Sequence, residues 1–434
     1  MPGLTHTLEI ARRAMMTHQS VLSVIGHNIA NANVSGYSRQ VARLAAEKPL
    51  HTTGFDWGNG VGLEGIERRR HLFLDQRVRS EMTALGRWRM RADVLGQIET
   101  SLTEPSESGL GAALDDFWNA WSELSSNPQD MALRANLVEK SQVLTERFRT
   151  LDQRISSMRA ELQVQLAYEV DSFNDKLERL ESISRQLVDA EKSGAMANDL
   201  RDQRDRLLDE MSLLADISWH EQGDGSLTLR VGNRVVLDAV TREPLSVNRL
   251  AGDVTGGSIG ALLELREETL PQMGSDLDLL AADLVQQVNA RHRTGPSRGD
   301  FFSGSSAGEI AVAAEIVNDP LAINASTSGE AGENDIALAI AQLQSERIIS
   351  GGRMTTSEYW GALVSQLGVM TQEARFQEEN GEMVTEATKA QRESVQGVSL
   401  DEEMANMVST QHAYLAAARV FDVASQMLET LMEV

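Results

Sequence analysis

The chain has 434 residues, 24% of them charged and only 4% aromatic, a net charge of −24 and no cysteine. The acidity argues against nucleic acid or an anionic membrane as the main partner, and the missing thiols exclude disulfides, thiol catalysis and cysteine-ligated zinc. No apolar run approaches the ~20 residues that span a bilayer, and Met1 to Ala14 is amphipathic rather than a cleavable leader, so any exit from the cell is expected to need no cleaved signal.

Few aromatics favour long helices packed along narrow stripes over large compact cores. In chain order, Leu4, Leu8, Ala11, Met15, His18, Leu22, Ile25 and Ile29 alternate at spacings of four and three. That is the seam of a coiled coil, and it predicts a helix from about Thr5 to Ile29. Asn28, Asn31, Asn33 and Ser35-Gly36 end it. Residues 37–66 read as extended and loop-rich, with five glycines and at most a short strand at Val41 to Leu44. From Leu72 to about Leu214 the sequence reads as helical, punctuated at Thr103 to Gly109, Asn127-Pro128 and Ser193-Gly194.

The period then changes. Ser226 to Val231 alternates strictly, and Val235 to Leu237 follows a Gly232-Asn233 turn signal, predicting a hairpin. A helix returns from Ile259 to Val288. Residues 294–333 read as loop with small strands at Ile310 to Val312 and Leu321 to Ile323. Helices fill the rest, with breaks at Ser350 to Gly352 and near Gly397. Ser399 to Glu402 is a capping box opening the last helix. That helix carries a second seam: Met404, Met407, Gln411, Tyr414, Ala418, Phe421, Ser425, Leu428 and Met432.

Two seams at opposite ends suggest that the termini meet each other and their copies in neighbouring subunits. A helix with a wet seam is marginal alone. The ends therefore either fold on assembly, which this argument favours, or form a docked pair within one chain.

Candidate chemistry is sparse. Gly60-Val-Gly62-Leu-Glu-Gly65 matches a dinucleotide pattern but lacks the strand-helix context that would aim amides at a pyrophosphate. His220-Glu221 would need a second histidine where Asp224 stands. The acids of Asn198 to Glu210 mostly have an arginine three or four residues away, which reads as a salt-bridged helix capped by Asn198. Arg68 to Arg91 holds eight arginines against two acids, either a solvated face or a contact with an acidic neighbour. The sequon Asn324-Ala-Ser326 reads as coincidence, and the eight histidines show no triad or metal spacing. No catalytic constellation, metal site or cofactor site is expected.

Ser23 to Gln40, with Gly36-Tyr-Ser-Arg39 at its end, resembles the N-terminal signature of bacterial flagellar axial proteins of the rod, hook and hook-associated class. The Tyr-Ser-Arg variant is similar to that of the hook-associated protein 1 family. Val398 to Asn406, Gln411 to Tyr414 and Ala416 to Val420 are similar to the paired C-terminal motif, and Asn198 to Asp205 and Val288 to His292 also fit. The resemblance implies an extracellular structural subunit, exported unfolded through the flagellar type III channel and placed at the hook–filament junction. It implies self-assembly in the axial lattice, with the hook protein and a second junction protein as neighbours and an export chaperone on the C-terminal helices. Asn28, Asn31, Gly36, Tyr37 and Arg39 carry over as the N-terminal packing and turn motif. Asp401, Glu402, Gln411 and Tyr414 carry over as its C-terminal partner.

The expected fold is mainly α, an elongated helical bundle with paired terminal coiled-coil helices and a small β-containing outer domain. Residues 1–40 and 390–434 would form the axial domain. Residues 41–214, 258–293 and 334–389 would form a helical rod, and 215–257 with 294–333 a reduced outer region. With the motif residues, Leu8, Leu22, Ile25, Ile29, Met407, Phe421 and Leu428 are the expected assembly positions. A hook or distal-rod subunit of the same axial class, and a cytoplasmic coiled-coil scaffold, are the alternatives.

Overall fold

The computed structural model describes residues 3–52, 55–102, 104, 106–192, 196–223, 225–250 and 252–432. The expected breaks at Thr103, Pro105, Ser193 and Gly194, and the positions Gly54 and Asp224, lie outside the described residues.

Helix α1 spans Leu4–Asn31 and is followed by strands β1 (Gln40–Ala46), β2 (Leu50–Thr52), β3 (Phe55–Trp57) and β4 (Val61–Arg68). Helices α2 (Leu72–Leu102), α3 (Leu110–Ser126), α4 (Met131–Glu191) and α5 (Asn198–Leu214) come next. Strands β5 (Ile217–Glu221), β6 (Leu227–Val231), β7 (Arg234–Ala239) and β8 (Thr241–Arg242) lead to α6 (Gly257–Glu264). A π turn at Leu265–Thr269 runs into α7 (Leu270–His292). The chain continues through β9 (Phe302–Ser303), β10 (Ala311–Val312), α8 (Ala314–Asn318), α9 (Asp335–Gln342), α10 (Thr356–Gln396) and α11 (Leu400–Met432). The mainly α expectation holds.

Two compact units emerge. The first comprises residues 1–84, 172–254 and 381–434, and the second 85–171 and 255–380. Residues 215–254 sit in the first unit and 294–333 in the second.

In the first unit α1 lies along α11. The termini thus form a docked pair within one chain, because each supplies the apolar row that the other lacks, and the preference for unpartnered ends is corrected. β1 pairs with β4 along its whole length, from Gln40↔Arg68 to Ala46↔Val61. This hairpin is longer than the short strand expected, since Gly62 and Gly65 are carried inside β4 with α1 packed against it. β5, β6, β7 and β8 form an antiparallel sheet in that order. Gly232 sits at φ 54° in the β6–β7 turn, and a Cβ there would lie 1.7 Å from the Asp253 carbonyl oxygen, so the turn demands glycine.

The second unit gathers scarce aromatics into one cluster. Phe117 of α3 meets Phe301 and Phe302, Trp121 meets Phe301, and Trp118 packs on Phe117, with ring centroids 4.8 to 6.4 Å apart across the cluster. Asn289 of α7 holds the Phe301–Phe302 backbone, its Oδ1 accepting from both amides at 2.9 Å. His292 is buried beside them. Its Nδ1 lies 2.8 Å from the Gly299 carbonyl and its Nε2 accepts from the Asn324 amide at 2.9 Å, which fixes the neutral tautomer. Asn324 is itself buried and bonded to the His292 carbonyl and Ser297. The expected strand at Leu321 to Ile323 is instead a 3₁₀ turn at Pro320–Ala322, with the Asp319 carboxylate accepting from the Leu321 amide.

Candidate functional site: the lock between the terminal helices

Helix α1 is covered on more than its apolar stripe. Ala11 and Ile25 are buried, and Leu4, Leu8, Met15, Leu22 and Ile29 are half-buried. A second, more polar row faces the β1–β4 segment. His6 Nε2 lies 3.2 Å from the Gly58 carbonyl, Arg13 donates to the Asn59 carbonyl, and Thr17 donates to the Val61 carbonyl at 3.1 Å. Thr17, Val24 and Asn28 are buried on it. Polar side chains bonding to strand carbonyls can be buried without an unsatisfied partner, so hydropathy alone does not reveal this row.

At the end of α1 the motif residues converge on one amide. Asn28 Oδ1 accepts from the Gln40 amide at 3.0 Å and from the Tyr37 hydroxyl at 2.8 Å. Its Nδ2 donates to the Gln40 carbonyl at 2.8 Å and to Glu403 of α11 at 2.9 Å. All four bonding positions of the amide are filled. Arg39 donates from Nε to the other Glu403 oxygen at 2.8 Å and from Nη1 to Glu402 at 2.7 Å. Its amide donates to the Gln396 carbonyl at 2.9 Å. Burial, with Asp199, Asp202 and Glu403 nearby, pushes the Tyr37 phenol well above its usual range, so it remains a donor. Asn31 turns back to the His27 carbonyl at 2.9 Å. Gly36 sits at φ 77°, and a Cβ there would meet the Arg206 stem at 2.4 Å.

Beneath the lock lies a charged layer. The Ser38 amide donates to Asp202 at 3.0 Å. Arg68 bridges Asp202 and Asp205 at 2.7 and 2.8 Å. Arg70 bridges Asp75 and Asp205, and Arg79 bridges Asp205 and Asp209. Arg392 of α10 reaches Asp209 at 2.7 Å. Burial opposes ionisation of Asp205, but Arg70, Arg68, Arg79 and Arg204 outweigh it and hold its carboxyl well below the usual range. Asp75 is pushed up, by burial and then by Asp205 beside it.

Two expectations change here. α5 is not a surface helix with internal ion pairs: Asp202, Arg204 and Asp205 are buried and their partners lie on other elements. Asn198 does not cap it but donates to the Ile66 carbonyl at 2.9 Å. The basic stretch is mostly consumed internally, since Arg68, Arg70 and Arg79 serve this layer while Arg87 and Arg91 meet Glu264 in the second unit. An arginine row and a carboxylate row buried against each other neutralise charge that water would otherwise solvate.

The α11 seam is shifted in part. Met407, Tyr414, Phe421 and Leu428 are half-buried as expected, and Ala418 and Ser425 are too. Met404, Gln411 and Met432 are exposed, and Glu403, Thr410, Ala417 and Ala424 take the shielded places. Asp401 and Glu402 are exposed. In the capping box the Ser399 hydroxyl accepts from the Glu402 amide at 3.4 Å, while the Glu402 side chain goes to Arg39 instead of back to Ser399. Sequence reasoning missed Gln40, Glu403, Asp202, Asp205 and Gln396 as members of the lock. The one available signal was the acid pair Glu402-Glu403 facing a motif arginine. Gly60 to Gly65 lies in β4 and its approach, inside an antiparallel hairpin, and the next helix starts only at Leu72 and not at the glycines, and Glu221 is taken by Arg201 and Arg204. Among the described residues no group of three or more His, Asp or Glu is placed to hold a metal, and no helix is long and apolar enough to cross a membrane.

The sequence model of the flagellar hook-associated protein FlgK helical domain matches residues 95–249 and 240–302. Models of the flagella basal body rod protein and of the flagellar basal body rod FlgEFG protein C-terminal region match residues 8–37 and 391–434. The chain is 30% identical to flagellar hook-associated protein 1 of Bacillus subtilis, over 98% of this chain and 97% of that one. It is 24% identical to the protein of the same name in Escherichia coli, over 96% and 97%. The solved flagellar hook junction protein FlgK of Burkholderia pseudomallei aligns with a TM-score of 0.64 at 13% identity, over 73% of this chain and 99% of that one.

Proposed function

The chain belongs to the flagellar hook-associated protein 1 family and is a structural subunit joining hook to filament; from this premise we propose that it assembles through α1 and α11. The observation that carries the proposal is what the docked pair leaves uncovered. Met404, Val408, Leu415, Val423 and Met427 of α11 are each half or more exposed beside a seam already satisfied within the chain. Apolar rows of that kind on a prefolded helix pair fit further helices.

In this reading the Asn28–Arg39–Glu403 lock sets the angle at which the pair leaves the first unit, and Leu8, Leu22, Ile25, Ile29, Met407, Tyr414, Phe421 and Leu428 keep the pair together. Asp401 and Gln411 lie at the surface for neighbours. Export proceeds through the flagellar type III channel to the hook–filament junction, with a chaperone covering the C-terminal helix beforehand. The hook protein and a second junction protein are the axial neighbours. The expected role is mechanical, adapting a bendable tube to a stiffer one.

The test is electron microscopy of cells deleted for the gene, with flagellin assayed in the medium. Intact hooks without filaments, and flagellin lost to the supernatant, are expected. Missing hooks would move the chain to the hook or rod.

A further inference from the structure

Helix α10 carries an apolar row that its own chain leaves open. Ala362, Val369, Phe376, Met383 and Ala390 recur at every seventh position, and all five are exposed. Val369, Phe376 and Met383 are 60%, 61% and 60% exposed. The buried Leu367 and Ala374 each stand two residues before a member of the row, about 160° away around the helix. α10 thus buries one stripe and presents another. Leu72, Phe73 and Leu321 are at least as exposed but stand in no such repeat. Apolar positions sustained at a spacing of seven form the seam that a second helix covers. The surroundings of this seam are acidic: residues 365–387 hold five acids and one arginine, and Glu373 and Glu379 beside it are exposed.

Helix α4 offers the complement. Val143, Thr150, Ser157 and Val164 also recur at every seventh position; Thr150 is half-buried and the other three are exposed. The buried Phe148 and Ile155 stand five residues after Val143 and Thr150, about 140° away around the helix. Arg147 and Arg154 lie one turn on from Val143 and Thr150, and residues 140–159 hold five basic side chains against two acids, in a chain of net charge −24.

We infer that the α10 row of one copy packs along the α4 row of the next, over the part of each helix that lies in the second unit. This rests on the reading that copies of the chain assemble side by side. Both rows are open to solvent in the chain, so they do not meet within it. Thr150 and Ser157 are small, so the Phe376 ring enters the hole between them, while Arg147 and Arg154 meet Glu373 and Glu379. Two α10 rows facing each other would instead set acid against acid, which disfavours a symmetric pair. Because the two rows are different surfaces, the contact is head-to-tail and propagates around a ring or along a helix.

The test places the photo-cross-linking residue p-benzoylphenylalanine at Phe376 of the full chain, in cells lacking the wild-type gene. Isolated flagella are irradiated and the adduct is mapped by mass spectrometry. A dimer of this chain, joined to a peptide within residues 143–164, is expected. An adduct with a different protein or a different segment, or monomer alone in flagella that carry filaments, overturns the contact. Independently, Glu373→Lys with Glu379→Lys, both at exposed positions, should cut filament retention under shear about tenfold. Adding Arg147→Glu and Arg154→Glu to the same chain should restore it. No loss, or a loss that the second pair does not restore, overturns the charge match. If the wild-type chain itself fails to restore filaments to the deleted strain, the junction reading falls instead.

Discussion

Arg39 and Glu403, 364 residues apart in sequence, form an ion pair of 2.7 Å with side chains only 11% and 2% exposed. The pair joins the loop after the first helix to the first turn of the last. Asn28 takes the remaining Glu403 oxygen, so removing the carboxylate leaves a buried cation and a buried amide short of partners.

Breaking a buried pair from one side costs about 3–5 kcal/mol. Glu403→Ala is expected to destabilise the full chain by about that much in urea unfolding. Arg39→Ala with Glu403→Ala together should cost clearly less than the sum of the two alone. Additive effects would mean that the two groups do not act on each other.

Gly36→Ala places a Cβ at φ 77° and drives it into the Arg206 stem near its base. The backbone term alone is about 1–2 kcal/mol. Adding Arg206→Ala should restore the steric part and leave the backbone part. Unfolding midpoints of the single and double variants separate the two.

The two registers of α11 make opposite predictions. Met407 is shielded and Met404 is 53% exposed. Met407→Asp should lower the thermal midpoint, because a charge is placed in a desolvated seam, whereas Met404→Asp should leave it within about 0.5 kcal/mol. If Met404→Asp still abolishes filaments, that row meets a neighbouring subunit. Ile25→Asp and Phe421→Asp should behave like Met407→Asp.

His292 gives the second unit a pH dependence. Burial holds its pKa below the ordinary 6.5, against the weaker pull of Gly299 and Asp300. The unfolded chain therefore gains a proton near pH 6.5 that the folded chain refuses. Stability from this site is full above that value and falls as pH drops through it. Thermal unfolding at pH 7.5 and 5.5 should show a larger loss for the wild type than for His292→Gln, which starts lower but lacks the titration.

The terminal helices, the Gly232-Asn233 hairpin and the breaks near Gly352 and Gly397 were legible in the sequence because periodicity and turn chemistry act over a few residues. The motif around Gly36-Tyr-Ser-Arg39 carried the family by resemblance. Half of the α11 register, the polar row of α1 that meets β4, and the length of the β1–β4 hairpin were not legible. Each depends on which surface lies opposite, and Thr17 or Glu403 reads as a solvent position until a carbonyl or a guanidinium is brought to it. The same holds for α5: spacing offered Asp202 and Asp205 arginines one turn away, and the fold gave them Arg68 instead, 134 and 137 residues distant. The sequence by itself determined where the long helices run, since periodicity is local, although it read Ala314 to Asn318 as loop where the short α8 stands. Only the tertiary structure decided which charges are buried together, because desolvating a carboxylate is tolerable only where a distant chain segment arrives with its counter-ion.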